Sequence, residues 1–79
     1  MQYEVDVRRL ISETVTITTP IDQVDIDDKF PDIGIDSLTF VNIIIRIEDE
    51  FDISFPDDEL DIHDSGTIKN LCSIITRSL

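Results

Sequence analysis

One serine stands where its hydroxyl can do chemistry: Ser37, in the run Ile33-Gly34-Ile35-Asp36-Ser37-Leu38. This run ends a polar, turn-rich segment and opens the most apolar helical pattern of the chain. A serine at a helix N-terminus lies beside unpaired backbone N–H groups, and that end of a helix favours a phosphate. Ser37 is therefore a candidate for carrying a phosphodiester-linked group. The alternative is an N-cap serine, a common use of this residue at a helix start.

The segment that positions this serine is predicted to be a helix from Ser37 to Asp49 or Phe51. With successive residues placed about 100° apart around the axis, its apolar side chains form two stripes. The first stripe is the predicted core face and contains Phe40, Ile43, Ile44, Ile47 and Phe51. The second stripe contains Leu38, Val41 and Ile45. It either docks a partner or is buried by neighbouring helices in a small bundle.

Other segments must hold this helix in place. An amphipathic pattern predicts a first helix over about residues 2–14. Residues 15–36 form a long connection, which we expect to be ordered, with a short helical turn near residues 21–24. A short helix is predicted to start at residues 57–60, after Pro56, and a last helix to span about residues 67–77.

Apolar residues are expected to anchor the long connection. Six of them are predicted to reach the core: Ile17, Ile21, Val24, Ile26, Phe30 and Ile33. The last helix has an apolar stripe of its own, made of Ile68, Leu71, Ile74 and Ile75. Its predicted N-cap is Asp64 or Ser65, and Arg77 in its last turn suits the helix dipole.

Length and cysteine content limit the architecture. The 79 residues are enough for one small domain, residues 1–79, and a single cysteine allows no internal disulfide. The predicted fold class is all-α: a small four-helix bundle, with three main helices plus a short third helix, and a long ordered first loop. A free thiol without a disulfide framework suits a reducing compartment.

The charge balance narrows the choice of partners. The formal net charge is −12, which argues against nucleic-acid binding and against stable docking on anionic membranes. It favours protein partners with basic patches, although the acidic residues could equally serve only for solubility. The N-terminal residues show no targeting pattern, so a cytoplasmic protein is expected.

The remaining polar candidates are weaker. The run Asp25-Ile26-Asp27-Asp28-Lys29-Phe30 fails as an EF-hand, because Lys29 replaces an oxygen ligand and Phe30 replaces the required glycine. No specific metal site is predicted, and weak surface binding of divalent cations by the acidic loops is left open. His63 is interpreted as a surface or cap residue, and Cys72 as a half-buried packing residue rather than a nucleophile.

The pattern around Ser37 resembles the acyl carrier protein family, which includes the peptidyl carrier domains. The resemblance rests on residues 34–38, with Phe30 and Ile33 upstream and residues 48–51 downstream. The segment of residues 51–56 also looks like the one that leads into the short third helix of the family. Asp-Ser-Leu alone is a weak signal, but its place within an acidic four-helix layout makes the match specific.

The resemblance implies a function. In the family, the serine of Asp-Ser-Leu is esterified to 4'-phosphopantetheine, taken from coenzyme A by a phosphopantetheinyl transferase. The thiol at the end of that arm holds acyl or aminoacyl groups as thioesters. Carried over to this chain, Ser37 is the attachment site, Asp36 is its acidic neighbour, and Leu38, Val41 and Ile45 face partner enzymes. Glu48 matches an acidic position used for docking to basic patches on loading ligases and synthase or transferase enzymes.

Three residues depart from the fatty-acid branch of the family. Acidic residues are usual straight after Ser-Leu and again three residues on, where this chain has Thr39 and Asn42, followed by Arg46. These departures favour a specialised pathway, such as polyketide, nonribosomal-peptide or dedicated lipid assembly. The resulting hypothesis is a monomeric carrier protein that is not an enzyme, with an acyl or alternatively an aminoacyl or peptidyl cargo. The competing hypothesis is an acidic helical adaptor with an unmodified Ser37.

Overall fold

Within residues 2–17, 19–57 and 60–79, which the computed structural model describes, the chain is helical and contains no β-strand. Four α-helices form there: α1 (Glu4–Thr14), α2 (Ser37–Phe51), α3 (Ile62–Ser65) and α4 (Ile68–Ser78). Short 3-10 turns span Ile21–Gln23 and Phe30–Ile33. The predicted all-α class and the small four-helix bundle are confirmed.

The core is built from the apolar faces of α1, α2 and α4, and α1 packs against both of the other two helices. The ring of Phe40 on α2 packs against that of Phe30 from the first loop, with centroids 5.9 Å apart. The predicted core face of α2 is buried except for Phe51, which is half-buried and meets Tyr3 edge-on at 5.3 Å. Each main helix buries an apolar stripe: Val7, Leu10 and Ile11; Phe40, Ile43, Ile44 and Ile47; Ile68, Leu71, Cys72, Ile74 and Ile75.

The long first loop is ordered by its own apolar residues and by hydrogen bonds to the C-terminal part of the chain. Of the six residues predicted to reach the core, Val24, Phe30 and Ile33 are buried, and Ile17, Ile21 and Ile26 pack against the core while partly exposed. The Phe30 N–H donates to the Gly66 carbonyl at 2.8 Å, and the Lys69 N–H donates to the Ile26 carbonyl at 3.0 Å. The loop is therefore attached to the segment between α3 and α4.

Two C-terminal predictions need correction. The predicted helix start at residues 57–60 includes Asp58 and Glu59, which lie outside the described residues, and the short helix itself is α3. The predicted N-cap of α4 was wrong: Asp64 and Ser65 belong to α3, and the hydroxyl of Thr67 accepts a hydrogen bond from Asn70 N–H at 3.1 Å. Thr67 has extended backbone, which lets its hydroxyl reach into the first turn of α4.

Candidate functional site

Ser37 is the first residue of α2, and its side chain is exposed. The N-cap is the preceding residue, Asp36, whose carboxylate Oδ1 accepts a hydrogen bond from Thr39 N–H at 2.8 Å. The interpretation of Ser37 as the helix cap is therefore wrong. Within the described part of the chain the Ser37 hydroxyl makes no hydrogen bond, so it is available for chemistry.

Asp36 holds a negative charge beside that hydroxyl. The hydrogen bond from the Thr39 backbone N–H stabilises the ionised carboxylate and lowers the pKa of Asp36 below the ordinary aspartate value. Because the side chain is exposed and its pKa is lowered, it is ionised throughout the neutral range. The Ser37 hydroxyl therefore lies next to a fixed negative charge.

The N-terminus of α2 also offers backbone donors. The first main-chain bond of the helix runs from Phe40 N–H to the Asp36 carbonyl at 2.9 Å, and Asp36 already caps Thr39 N–H. The N–H groups of Ser37 and Leu38 precede that bond and point out of the helix end. A phosphodiester on the Ser37 oxygen would lie beside these donors and the positive end of the helix dipole, so the residues present fit such a group.

The end of the first loop, just before Ser37, is held in place by a tight turn. The 3-10 turn Phe30–Ile33 ends at Gly34, whose φ of 91° is a left-handed conformation that favours glycine. The Ile35 N–H then donates back to the Phe30 carbonyl at 3.0 Å, and the Ile35 side chain is buried. This turn reverses the chain immediately before Asp36, so that Ser37 begins α2 at the surface.

The second apolar stripe of α2 lies on the same surface as Ser37. Leu38 is 73% exposed, Val41 39% and Ile45 48%. The alternative in which neighbouring helices bury this stripe is wrong. The stripe starts directly after Ser37 and continues along the helix, so it forms an apolar surface next to the candidate site.

Glu48 has a structural contact that the sequence pattern did not reveal. Its carboxylate accepts a hydrogen bond from Phe55 N–H at 2.8 Å, and its carbonyl accepts one from Ile53 N–H at 3.2 Å. The side chain is half-buried rather than free in solvent. Glu48 therefore holds the segment after α2, and its docking role stays a prediction.

Ion pairs join α1 to α2 on the solvent side. Arg46 Nη2 lies 2.9 Å from Glu13 Oε1, and Arg9 Nη2 lies 2.9 Å from Glu50 Oε2. Arg9 also contacts Glu13 at 3.4 Å, and both arginine side chains are a little under half exposed. The two helices are thus linked outside the core through exposed charges, which contribute modestly to stability individually.

The other sequence candidates remain separate from this site. Cys72 is more buried than predicted, with 1% exposure, and burial raises the pKa of its thiol to about 11. His63 is exposed on α3, as predicted. In the acidic loop, Asp25 accepts from Asp27 N–H at 2.9 Å and Asp28 accepts from Asp25 N–H at 3.0 Å. Among the described residues, no group of three or more His, Cys, Asp or Glu side chains is arranged to hold a metal ion.

Three pockets of the structure lie outside the isoleucine-rich interior, and the largest of the three, of about 330 Å³, lies where the first loop meets α3 and α4, near Asp27, Asp64 and Asn70. A second, of about 300 Å³, is an open groove on α4 lined by Lys69, Cys72, Ser73, Thr76 and Arg77. Another, of about 210 Å³, lies where the end of α1 meets the first loop, between Ser12 and Ile21. None of these three pockets reaches between the core faces of α1 and α2. In the part of the chain that the structure describes, no helix is long and apolar enough to cross a membrane.

Comparison with known proteins agrees with this geometry. Residues 5–75 match the family described as "Phosphopantetheine attachment site". The chain is 38% identical over 55 residues to an acyl carrier protein of Sulfurovum sp., covering 68% of this chain and 71% of that protein. It is 37% identical over 57 residues to an acyl carrier protein of Chlorobium phaeovibrioides, covering 71% and 70% of the two chains.

A solved structure shares the whole fold. It is the crystal structure of an engineered Bradyrhizobium japonicum glycine:[carrier protein] ligase complexed with a carrier protein from Agrobacterium tumefaciens and ATP. The alignment has a TM-score of 0.84 and 24% identity, and it covers 96% of this chain and 99% of the matched one. At this level of identity, the likeness concerns the fold.

Proposed function

Because the chain belongs to the family of phosphopantetheine carrier proteins, with 4'-phosphopantetheine as its covalent cofactor, we propose that Ser37 is the attachment site and that the cargo is an acyl group. The assignment rests on the different positions of Asp36 and Ser37 at the start of α2. Asp36 caps the helix through Thr39 N–H, which leaves the exposed Ser37 hydroxyl available for modification.

The attachment step follows from the groups present. The Ser37 oxygen attacks the phosphorus of coenzyme A that carries the pantetheine, a phosphoester bond forms, and 3',5'-adenosine bisphosphate leaves as the serine proton is removed. When bound, the phosphopantetheine supplies a terminal thiol that holds the cargo as a thioester. The Ser37 and Leu38 N–H groups favour the phosphodiester electrostatically, and Asp36 contributes the charge that the transferase recognises.

Partner enzymes are proposed to dock on α2. Leu38, Val41 and Ile45 are exposed beside Ser37, so an enzyme that covers them would place its active site near the arm. The chemistry of loading, extension and release would belong to those enzymes, and this chain would act as a carrier without catalysis of its own. Glu48 would assist docking with the part of its carboxylate that Phe55 N–H does not use.

The family assignment leaves the pathway to be proposed. Thr39 and Asn42 stand at positions where the fatty-acid branch is usually acidic, and Arg46 follows further along the helix. These departures favour a specialised pathway. An aminoacyl cargo is the second candidate, because the solved carrier protein with the same fold was captured with a glycine:[carrier protein] ligase. Loading assays with acyl and aminoacyl donors separate the two.

We also propose that residues 1–79 form one monomeric domain and that it acts in the cytoplasm, where its unpaired Cys72 thiol would persist.

Mass spectrometry after incubation with coenzyme A and a broad-specificity phosphopantetheinyl transferase tests the attachment site. The wild-type chain should gain the mass of one phosphopantetheinyl group, and Ser37→Ala should gain none. Ser12→Ala, which changes an exposed serine on α1, is the matched control and should be modified normally. An unmodified wild-type chain, or a modified Ser37→Ala variant, would refute the assignment and favour the acidic adaptor.

A further inference from the structure

Beyond its N-cap Asp36, the surface of α2 near Ser37 carries no acidic side chain. From Ser37 to Arg46 the helix has none, and its acidic residues are Glu48, Asp49 and Glu50 near the C-terminal end. At a rise of about 1.5 Å per residue, this stretch extends roughly 13 Å from the attachment site. An enzyme that docks beside Ser37 therefore meets apolar and neutral side chains before it meets an α2 carboxylate.

Two of the three α2 carboxylates are already engaged within the fold. Glu48 accepts from Phe55 N–H at 2.8 Å, and Glu50 pairs with Arg9 at 2.9 Å. Of the acidic side chains on α2, only Asp49 is both exposed and without a contact inside the described residues. The net charge of −12 is thus a poor guide to the charge of this surface.

The cation on this part of α2 is Arg46, which follows Ile45 directly. Its side chain is 46% exposed, and one nitrogen contacts Glu13 at 2.9 Å. A guanidinium has five N–H donors, so this single contact leaves donors directed to solvent. The contact also restricts where the guanidinium lies, at the border of the apolar stripe.

We infer that the partners of this carrier present an apolar surface to the middle of α2, with an acidic side chain opposite Arg46. Their basic contacts are confined to Asp36 and Glu48 at the two ends of the helix, rather than forming a continuous basic patch. The inference rests on the proposed function of α2 as the docking helix. A continuous basic patch would face Arg46, and between Ser37 and Arg46 the helix has no carboxylate to balance it. Like charges in an interface are costly. A partner carboxylate can instead bind the guanidinium in a charge-assisted pair, while Leu38, Val41 and Ile45 are buried.

The test uses two phosphopantetheinyl transferases as docking probes, one whose carrier-binding surface is basic and one whose surface is apolar with an acidic rim. The readout is the KM for the unmodified carrier. We expect a KM about tenfold lower for the acid-rimmed enzyme, since close charge matching discriminates partners at that scale. Its KM should also change little between about 0.1 M and 1 M NaCl, although the screening length falls from about 10 Å to 3 Å.

A charge-swapped variant supplies the matched control. In the double variant Glu13→Arg with Arg46→Glu, the charge on α2 is reversed, the ion pair to α1 can re-form and the net charge is unchanged. Arg9 keeps its contact with Glu50 but loses the one with Glu13, so urea unfolding checks that the fold is retained. The variant should lose the preference for the acid-rimmed enzyme and gain affinity for the basic one.

The outcomes separate this inference from the attachment site. A lower KM for the basic enzyme, or a KM that rises steeply with salt, overturns the inference while Ser37 remains modified. A charge swap that leaves the preference unchanged also overturns it, because Arg46 would then have no part in docking. Failure of both enzymes to add mass overturns the attachment site, and with it this inference.

Discussion

The Asp36 carboxylate accepts a hydrogen bond from Thr39 N–H at 2.8 Å, so the residue before Ser37 closes the start of α2. Two adjacent residues therefore have separate tasks: Asp36 stabilises the helix end, and Ser37 keeps an exposed hydroxyl. This separation would allow Ser37 to be modified without loss of the helix cap.

The first prediction concerns this separation. Ser37→Ala should unfold at the same urea concentration as wild type, because the hydroxyl makes no hydrogen bond in the described structure. Asp36→Ala should lower the urea midpoint, because the Thr39 N–H loses its acceptor, and Asp36→Asn should retain most of the cap. Unfolding followed by circular dichroism measures all three. A Ser37→Ala variant as unstable as Asp36→Ala would show that the serine caps the helix after all.

The pH dependence of the cap gives a second prediction. The hydrogen bond from Thr39 N–H lowers the pKa of Asp36 in the folded state, so the unfolded chain binds the proton more readily. The contribution of the cap is therefore present above the ordinary aspartate pKa of about 3.9 and is lost as pH falls through the lower folded pKa. The stability difference between wild type and Asp36→Asn should shrink as the pH is lowered through this range. A constant difference would contradict the assignment.

Cys72 provides a third prediction. Burial raises the pKa of its thiol to about 11, above the unfolded value of about 8.5. The neutral thiol thus contributes stability that is complete below about pH 8.5 and declines as pH rises toward the folded pKa. Cys72→Ala should remove this alkaline decline, as measured by urea unfolding between about pH 8 and 10.

The same burial predicts selective thiol chemistry. A thiol reagent at neutral pH should leave Cys72 unmodified in the folded protein and react with it in denaturant. In the carrier that bears the phosphopantetheine arm without cargo, only the terminal thiol of the arm should then react quickly. Rapid labelling of the unmodified folded chain would show that Cys72 is accessible.

The fourth prediction separates the structural contact of Glu48 from docking. Glu48→Ala removes the acceptor of Phe55 N–H and should lower the free energy of unfolding by about 1–3 kcal/mol. Glu48→Gln keeps an acceptor oxygen and should recover part of this loss. The KM of a partner enzyme for Glu48→Gln then reports the effect of charge alone. Equal stability of both variants and wild type would rule out the structural role.

Two neighbouring isoleucines give the fifth prediction. Ile44 is 2% exposed and Ile45 is 48% exposed, although the chain places them side by side. Ile44→Ala should lower the free energy of unfolding by about 2–5 kcal/mol, the usual cost of a cavity in a core. Ile45→Ala should lower it by at most about 0.5 kcal/mol and raise the KM of partner enzymes. A larger loss of unfolding free energy for Ile45→Ala than for Ile44→Ala would show that Ile45, rather than Ile44, lies in the core.

The helices could be predicted because their apolar residues repeat with the period of a helix. Periodicity predicts that α2 starts at Ser37 and that Ile44 faces the core while Ile45 faces solvent. Both predictions need only the geometry of a single helix. The conformation of the first loop was harder to predict. The turn Phe30–Ile33 forms where the Phe30 N–H donates to the carbonyl of Gly66, a residue distant in sequence. Ile35, buried between Gly34 and Asp36, follows no periodic pattern.

The hydrogen bonds of the site could not be predicted from residue types alone. Asp36 and Ser37 are adjacent and both are favourable N-cap residues, so propensity alone does not decide which one caps α2. Glu48 was interpreted by its place in the family pattern, and its contact with Phe55 arises only when the chain turns back after α2. The sequence selects Ser37 as the candidate attachment site, but only the fold shows that Asp36 makes the capping hydrogen bond and leaves the Ser37 hydroxyl free.

The hydrogen bonds between the first loop and the residues around α4 impose an order on biosynthesis. Phe30 and Ile26 are held by Gly66 and Lys69, which leave the ribosome long after Ser37 does. The contacts that hold the turn before the serine are thus complete only once Gly66 and Lys69 have been translated. A transferase that recognises the folded turn would thereby modify Ser37 only after these residues have been made and folded.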